Sequence, residues 1–171
     1  MKKVNNGIVT GEAIGEVLLE DNRNNNSEIL KPYRACSEKS DMPFVNFYWD
    51  YFSQGKPAYV HIEFITLSEA INMIKENGGI AIIAHPGNNL KYNRNIIDEL
   101  IAEGIDGIEV FSSYHTNEDI EFFYNKALEN NLFISCGSDF HGKNKPNIEI
   151  GKFKYKFDSN MILFGNEDRC V

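Results

Sequence analysis

The sequence predicts an α/β fold, a parallel sheet covered by helices, preceded by a segment of helical and irregular texture. Three observations predict it. From about residue 65, short apolar runs of strand length alternate with longer amphipathic runs of helical period. The strand-like runs are almost continuously apolar, as in sheets covered on both faces. Finally, the conspicuous polar residues follow those runs: His85, then Ser112-Ser113-Tyr114-His115, then Ser138-Asp139-Phe140-His141. Parallel α/β proteins, open or barrel, place their sites in the loops at the strand C-termini.

Taken in order, Thr10 is placed to cap an apolar-periodic helix through Ala13, Ile14, Val17 and Leu18, which breaks at the polar loop 21–26. The aromatic-rich run Pro43 to Phe52 predicts a second helix that stops before Gly55 and Pro57, its aromatics facing a core. Thr66-Leu67-Ser68-Glu69 is a capping box opening a helix with Ala70, Ile71 and Ile74 on one face, closed by Gly78-Gly79. Ile80 to Ala84 reads as a fully buried strand. A helix from Asn95 to Ala102, a strand from Gly107 to Phe111, a helix from Thr116 to about Asn130 and a strand from Leu132 to Cys136 follow. The division expected is 1–60 for the helical segment and 61–171 for the αβ repeats.

The 171 residues suffice for one domain, or one with a small appendage. The longest apolar run is far too short to span a bilayer, and Met1 to Asn6 lead into no apolar signal region. No membrane partner and a cytoplasmic location are therefore expected. A net charge of −8 disfavours strong binding of duplex nucleic acid, which rests on many Lys and Arg contacts to phosphate. Phosphorylated small molecules and nucleotides stay open as partners. Cys36, Cys136 and Cys170 form no CxxC pair, so neither a disulfide framework nor a thiolate metal site is expected, and Cys136 reads as core.

Asp139 and His141 are two apart; in an extended segment both side chains point one way, so a carboxylate and an imidazole can converge on one cation such as Zn, Mn or Fe. His85 ends a buried strand and precedes Pro86-Gly87, where it is either a ligand or a core histidine bonded to a backbone carbonyl. His115 is a ligand, a proton donor, a phosphate contact or simply a solvated loop residue. Glu109, an acid in an apolar strand, should line a cavity or pair with a base. His61 reads as part of a half-exposed strand. Lys56, held between Gly55 and Pro57, and Arg34 are candidate phosphate contacts; Lys143 and Lys145 follow the DxH pair.

Gly79 to Gly87 with its His-Pro pair, Gly107 to Phe111, and Gly137-Ser138-Asp139-Phe140-His141-Gly142 together resemble the polymerase and histidinol phosphatase (PHP) superfamily. Lys39 to Asp50 and Gln54 to Val60 are similar to the inserted helical segment of its small-molecule phosphoesterase branch. The resemblance runs from about residue 7 to 152. It implies the C-terminal part of a distorted (β/α)7 barrel with an N-terminal helical insertion, and a cluster of divalent metals, Mn, Zn, Fe or Mg, at the strand ends. It further implies His85, Asp139 and His141 as metal ligands, Lys56 as a phosphate contact, and His115 or His141 as donor to the leaving oxygen. The activity implied is release of phosphate from a nucleotide or a short oligonucleotide end.

Members of that family open with an HxH motif, which none of the four histidines here forms. The resemblance thus implies an incomplete copy that needs an N-terminal half, through a complementing segment or an oligomer. The rival readings are a non-catalytic remnant that binds phosphate or metal, and a metal-dependent amidohydrolase on a similar barrel.

Overall fold

A computed structural model describes residues 8–90 and 93–154. The expectations for the extreme N-terminus and for Cys170 lie outside the described residues. The described residues form two compact units: one runs from Ile8 to Glu63 and includes Phe140–Glu149, the other comprises Phe64–Asp139 and residues 150–154.

In the first unit, helix α1 (Gly11–Glu20) starts where Thr10 accepts a hydrogen bond from the Ala13 N–H at 3.2 Å. Helix α2 (Pro43–Tyr51) begins on a proline, whose missing N–H costs nothing in a first turn. Phe47 packs against Tyr33 and Leu30 in a small core edged by Ile14, Leu18 and Phe52. Trp49, expected inside with the other aromatics, is exposed. On α2, Asp50 accepts hydrogen bonds from the Tyr33 hydroxyl and the Lys39 ammonium of the connection between the helices, both at 2.5 Å. Lys143 pairs with the buried Glu16 carboxylate at 2.5 Å, tying the segment 140–149 to α1.

Among the described residues the second unit carries a three-stranded parallel sheet, ordered β1 (Ile82–Ile83), β2 (Gly107–Ser112), β3 (Phe133–Gly137). Helix α3 (Leu67–Glu76) opens on the expected capping box, in which Thr66 and Glu69 bond each other's backbone N–H. Short α4 (Pro86–Asn89) and α5 (Ile96–Ala102) follow β1, and α6 (Asn117–Glu129), capped reciprocally by Thr116 and Asp119, joins β2 to β3. The core gathers Ile97, Ile108, Val110, Phe123 and Ala127, all fully buried, between sheet and helices. Burial of a side chain the size of Phe123 contributes roughly 2–3 kcal/mol.

Three expectations change here. The run Ile80 to Ala84 is not a fully buried strand: only Ile82 and Ile83 pair, with β2 alone, and Ile80 and Ile82 are 52% and 40% exposed. As the sheet's edge among the described residues, β1 lacks a neighbour that would cover it. Cys136 is exposed on β3, the opposite edge among the described residues, and the partial desolvation of its thiol together with the Glu109 charge raises its pKa. His61 lies in an exposed irregular stretch and not in a strand.

Candidate functional site

Parallel strands deliver their following loops to one end of the sheet, and in the second unit three loops meet there. After β1, His85 adopts a left-handed backbone (φ +30°, ψ +58°) and turns the chain at once into α4. After β3, Asp139 is also left-handed, at φ +56°. The segment is therefore not extended at Asp139, and the two-residue alternation expected to aim Asp139 and His141 the same way does not apply. The left-handed turns bring the imidazole and carboxylate of the second unit together: His85 Nε2 lies 4.0 Å from Asp139 Oδ2.

Supporting contacts fix both groups. The Glu109 carboxylate, on the central strand, accepts the His85 backbone N–H at 2.6 Å. Of the two expectations for this acid, lining a cavity or pairing with a base, the second is replaced by a bond from a backbone donor. A side chain at Gly137 would collide with the same carboxylate, so this glycine is needed for close approach. Tyr114 donates its hydroxyl to Asp139 Oδ2 at 2.6 Å, and its ring stands edge-on to the His85 imidazole, centroids 5.5 Å apart. Ser113 holds the β3 loop by donating to the Ser138 carbonyl at 2.9 Å. Tyr114 escaped the sequence reading because a tyrosine between polar loop residues has no spacing that marks it; its only signal is its place in a strand-end loop.

His115 does not stand in solvent as a proton donor. It is 1% exposed, its Nδ1 lies 2.7 Å from the Val110 carbonyl and its Nε2 accepts the Gly87 N–H at 2.9 Å. That pattern fits the neutral tautomer with the proton on Nδ1. The Val110 carbonyl is available because the β2–β3 register slips between Glu109 and Phe111, leaving Val110 as the extra residue of a bulge. Gly87 is required in turn, since a Cβ there would lie 2.6 Å from His115 Cδ2. His115 thereby ties the loop after β2 to the one that carries His85.

The other candidates belong to the first unit. Lys56 is exposed in the turn after α2, its N–H donating to the Ser53 carbonyl. Arg34 donates to the carbonyls of Asn24 at 2.8 Å and Leu19 at 3.4 Å, so its guanidinium organises the turn after α1. His141 is exposed and precedes the helical turn Gly142–Asn144, its carbonyl accepting the Asn144 N–H.

The His85–Asp139 pair fits one edge of a cation site. Its donors are a borderline nitrogen, Nε2, and a hard oxygen; Nδ1, the other ring nitrogen of His85, is buried without a hydrogen-bond partner and takes no part in that pairing. Two ligands of a tetrahedral ion stand roughly 3.4 Å apart at bond lengths of about 2.1 Å, so the observed 4.0 Å needs to close by a little over half an ångström. Among the described residues no group of three His, Cys, Asp or Glu side chains is placed to hold a metal ion. No helix among them is long and apolar enough to cross a membrane.

No family model matches the chain. It is 38% identical over 105 residues to a 3′,5′-nucleoside bisphosphate phosphatase of Chromobacterium violaceum, covering 59% of this chain and 36% of that protein. It is 30% identical over 120 residues to the 5′-3′ exoribonuclease Rnm of Escherichia coli, covering 68% and 40%. A crystal structure of a putative metal-dependent phosphoesterase from Bifidobacterium adolescentis superposes with a TM-score of 0.54 at 30% identity, over 64% of this chain and 40% of that one. The chain thus spans about two fifths of the length of each.

Proposed function

The segment matched by these relatives belongs to the PHP family of phosphoesterases, and from that premise we propose that the chain is part of a metal-dependent enzyme releasing phosphate from nucleotides or short oligonucleotide ends. The observation that carries this reading is the His85–Asp139 pair, 4.0 Å apart on the loops after β1 and β3, with Glu109 and Tyr114 holding it. His85 and Asp139 are assigned as ligands of a divalent ion, Mn, Zn, Fe or Mg, with His141, two residues along the chain, as the third. When bound, such ions acidify a water and neutralise charge on phosphoryl oxygens. Lys56 supplies a cation for the substrate phosphate. Of the two histidines expected to serve the leaving oxygen, His141 is the exposed one and takes that role where it does not hold the ion, while His115 positions the His85 loop.

On this reading the first unit is the helical insertion and the second a portion of a distorted (β/α)7 barrel. Two observations support a further, amino-terminal segment that completes the ion cluster: the chain spans 36–40% of its relatives, and among the described residues β1 keeps an open edge with Ile80 and Ile82 exposed. The shortage of converging ligands also favours a second reading, a remnant that binds metal or phosphate without turnover.

The test is phosphate release from a 3′,5′-nucleoside bisphosphate and from 5′-phosphorylated oligonucleotides in manganese. The full chain is assayed alone and mixed with the amino-terminal part of the Chromobacterium relative. Manganese-dependent turnover in the mixture, abolished by His85→Ala or Asp139→Ala, is expected. Turnover that survives Asp139→Ala overturns the assignment; ion binding with no turnover in either sample selects the remnant.

A further inference from the structure

Tyr114 touches both proposed ligands. Its hydroxyl donates to Asp139 Oδ2 at 2.6 Å, and its ring meets the His85 imidazole edge-on at 5.5 Å and 76°. Asp139 sits at φ +56°, a backbone region that constrains where its side chain can point, and its loop is held by Ser113. Resting on the metal-dependent reading above, we propose that Tyr114 is the positioning residue of the ion site. The phenol sets the rotation of the Asp139 carboxylate, and the ring sets the plane of the His85 imidazole. Groups that orient ligands in this way typically change metal affinity 10–100-fold when removed.

The two contacts are separable by substitution. Tyr114→Phe keeps the ring against His85 and deletes the bond to Asp139, whereas Tyr114→Leu deletes both. The experiment measures Mn2+ affinity of the full chain by paramagnetic resonance of the free ion, for wild type, Y114F, Y114L and D139A, with melting temperatures recorded alongside. The expected result is affinity lowered about tenfold in Y114F and further in Y114L, with Y114F melting close to wild type; a role confined to packing would leave Y114F affinity unchanged. Crystal structures of wild type and Y114F add a reading that needs no ion: the His85–Asp139 separation should leave its present 4.0 Å only in the variant. Unchanged affinity in Y114F alongside lost affinity in D139A overturns the role of Tyr114 and leaves the ion site standing. If wild type binds no Mn2+ either alone or mixed with the amino-terminal part of the Chromobacterium relative, the ion reading falls, and an Asp139 carboxylate unmoved in the Y114F crystal then overturns the positioning role as well.

Discussion

Substituting Gly87 by alanine probes the contact through which His115 holds the His85 loop. The added methyl would lie 2.6 Å from His115 Cδ2 and 2.9 Å from Nε2. The ring has nowhere to retreat: it is 1% exposed, anchored at Nδ1 to the Val110 carbonyl and packed on Phe123 at 5.4 Å. Overpacking of this kind costs roughly 1–3 kcal/mol, and loss of the Gly87 N–H bond adds about 1 kcal/mol. Gly87→Ala should therefore destabilise by about 2–4 kcal/mol in urea unfolding. His115→Ala alone leaves a cavity and two unpaired backbone groups, for a loss of about the same size. In the double variant the methyl added at Gly87 enters space vacated by the ring, so the clash disappears. The double variant should recover about 1–3 kcal/mol relative to the sum of the singles. Additivity within about 0.5 kcal/mol, the behaviour of independent sites, would refute the contact and the positioning role built on it.

Two further outcomes follow from the same loops. Gly137→Ala should cost roughly 1–3 kcal/mol in urea, because its methyl meets the Glu109 carboxylate, and Glu109→Ala in the same chain should return part of that loss. Asp119 titrates below the ordinary carboxylate range: burial pushes its pKa up, but hydrogen bonds from the Thr116 hydroxyl and backbone N–H outweigh it, helped by the neighbouring Arg94 guanidinium. A folded value below the unfolded one gives stability that is present above about pH 4 and lost as pH falls through the folded value. Asp119→Ala should accordingly cost about 1 kcal/mol near neutral pH and converge on wild type in acid, as followed by urea midpoints across pH.

Local chemistry was legible in the sequence wherever it acts over a few residues. Thr66 with Glu69, and Thr116 with the acid three residues on, announce helix starts through bonds that need no distant partner. The central strand around Ile108 and Val110 was legible because a continuous apolar run with neighbours on both sides is buried. Ile80 to Ala84 has the same texture yet lies at an edge, since an apolar run specifies a wish for cover and not its supply. The Asp139–His141 spacing presumed an extended chain, and the left-handed turn at Asp139 is a property of how the β3 loop closes on Ser113 and Tyr114. His115 stood in the right loop, but its burial depends on a bulge in β2 and on Gly87 arriving from α4, neither of which its neighbours in sequence encode. Trp49 and Cys136 were placed inside by residue type and lie outside by topology.

The central claim is that His85 and Asp139 hold a divalent ion, and a crystal grown in manganese and measured at the manganese absorption edge tests it most directly. The account predicts an anomalous peak between His85 Nε2 and Asp139 Oδ2, with their separation closed below 4.0 Å, and no such peak in Asp139→Ala. Saturating manganese with no peak at this pair, or the same peak in the variant, would contradict it.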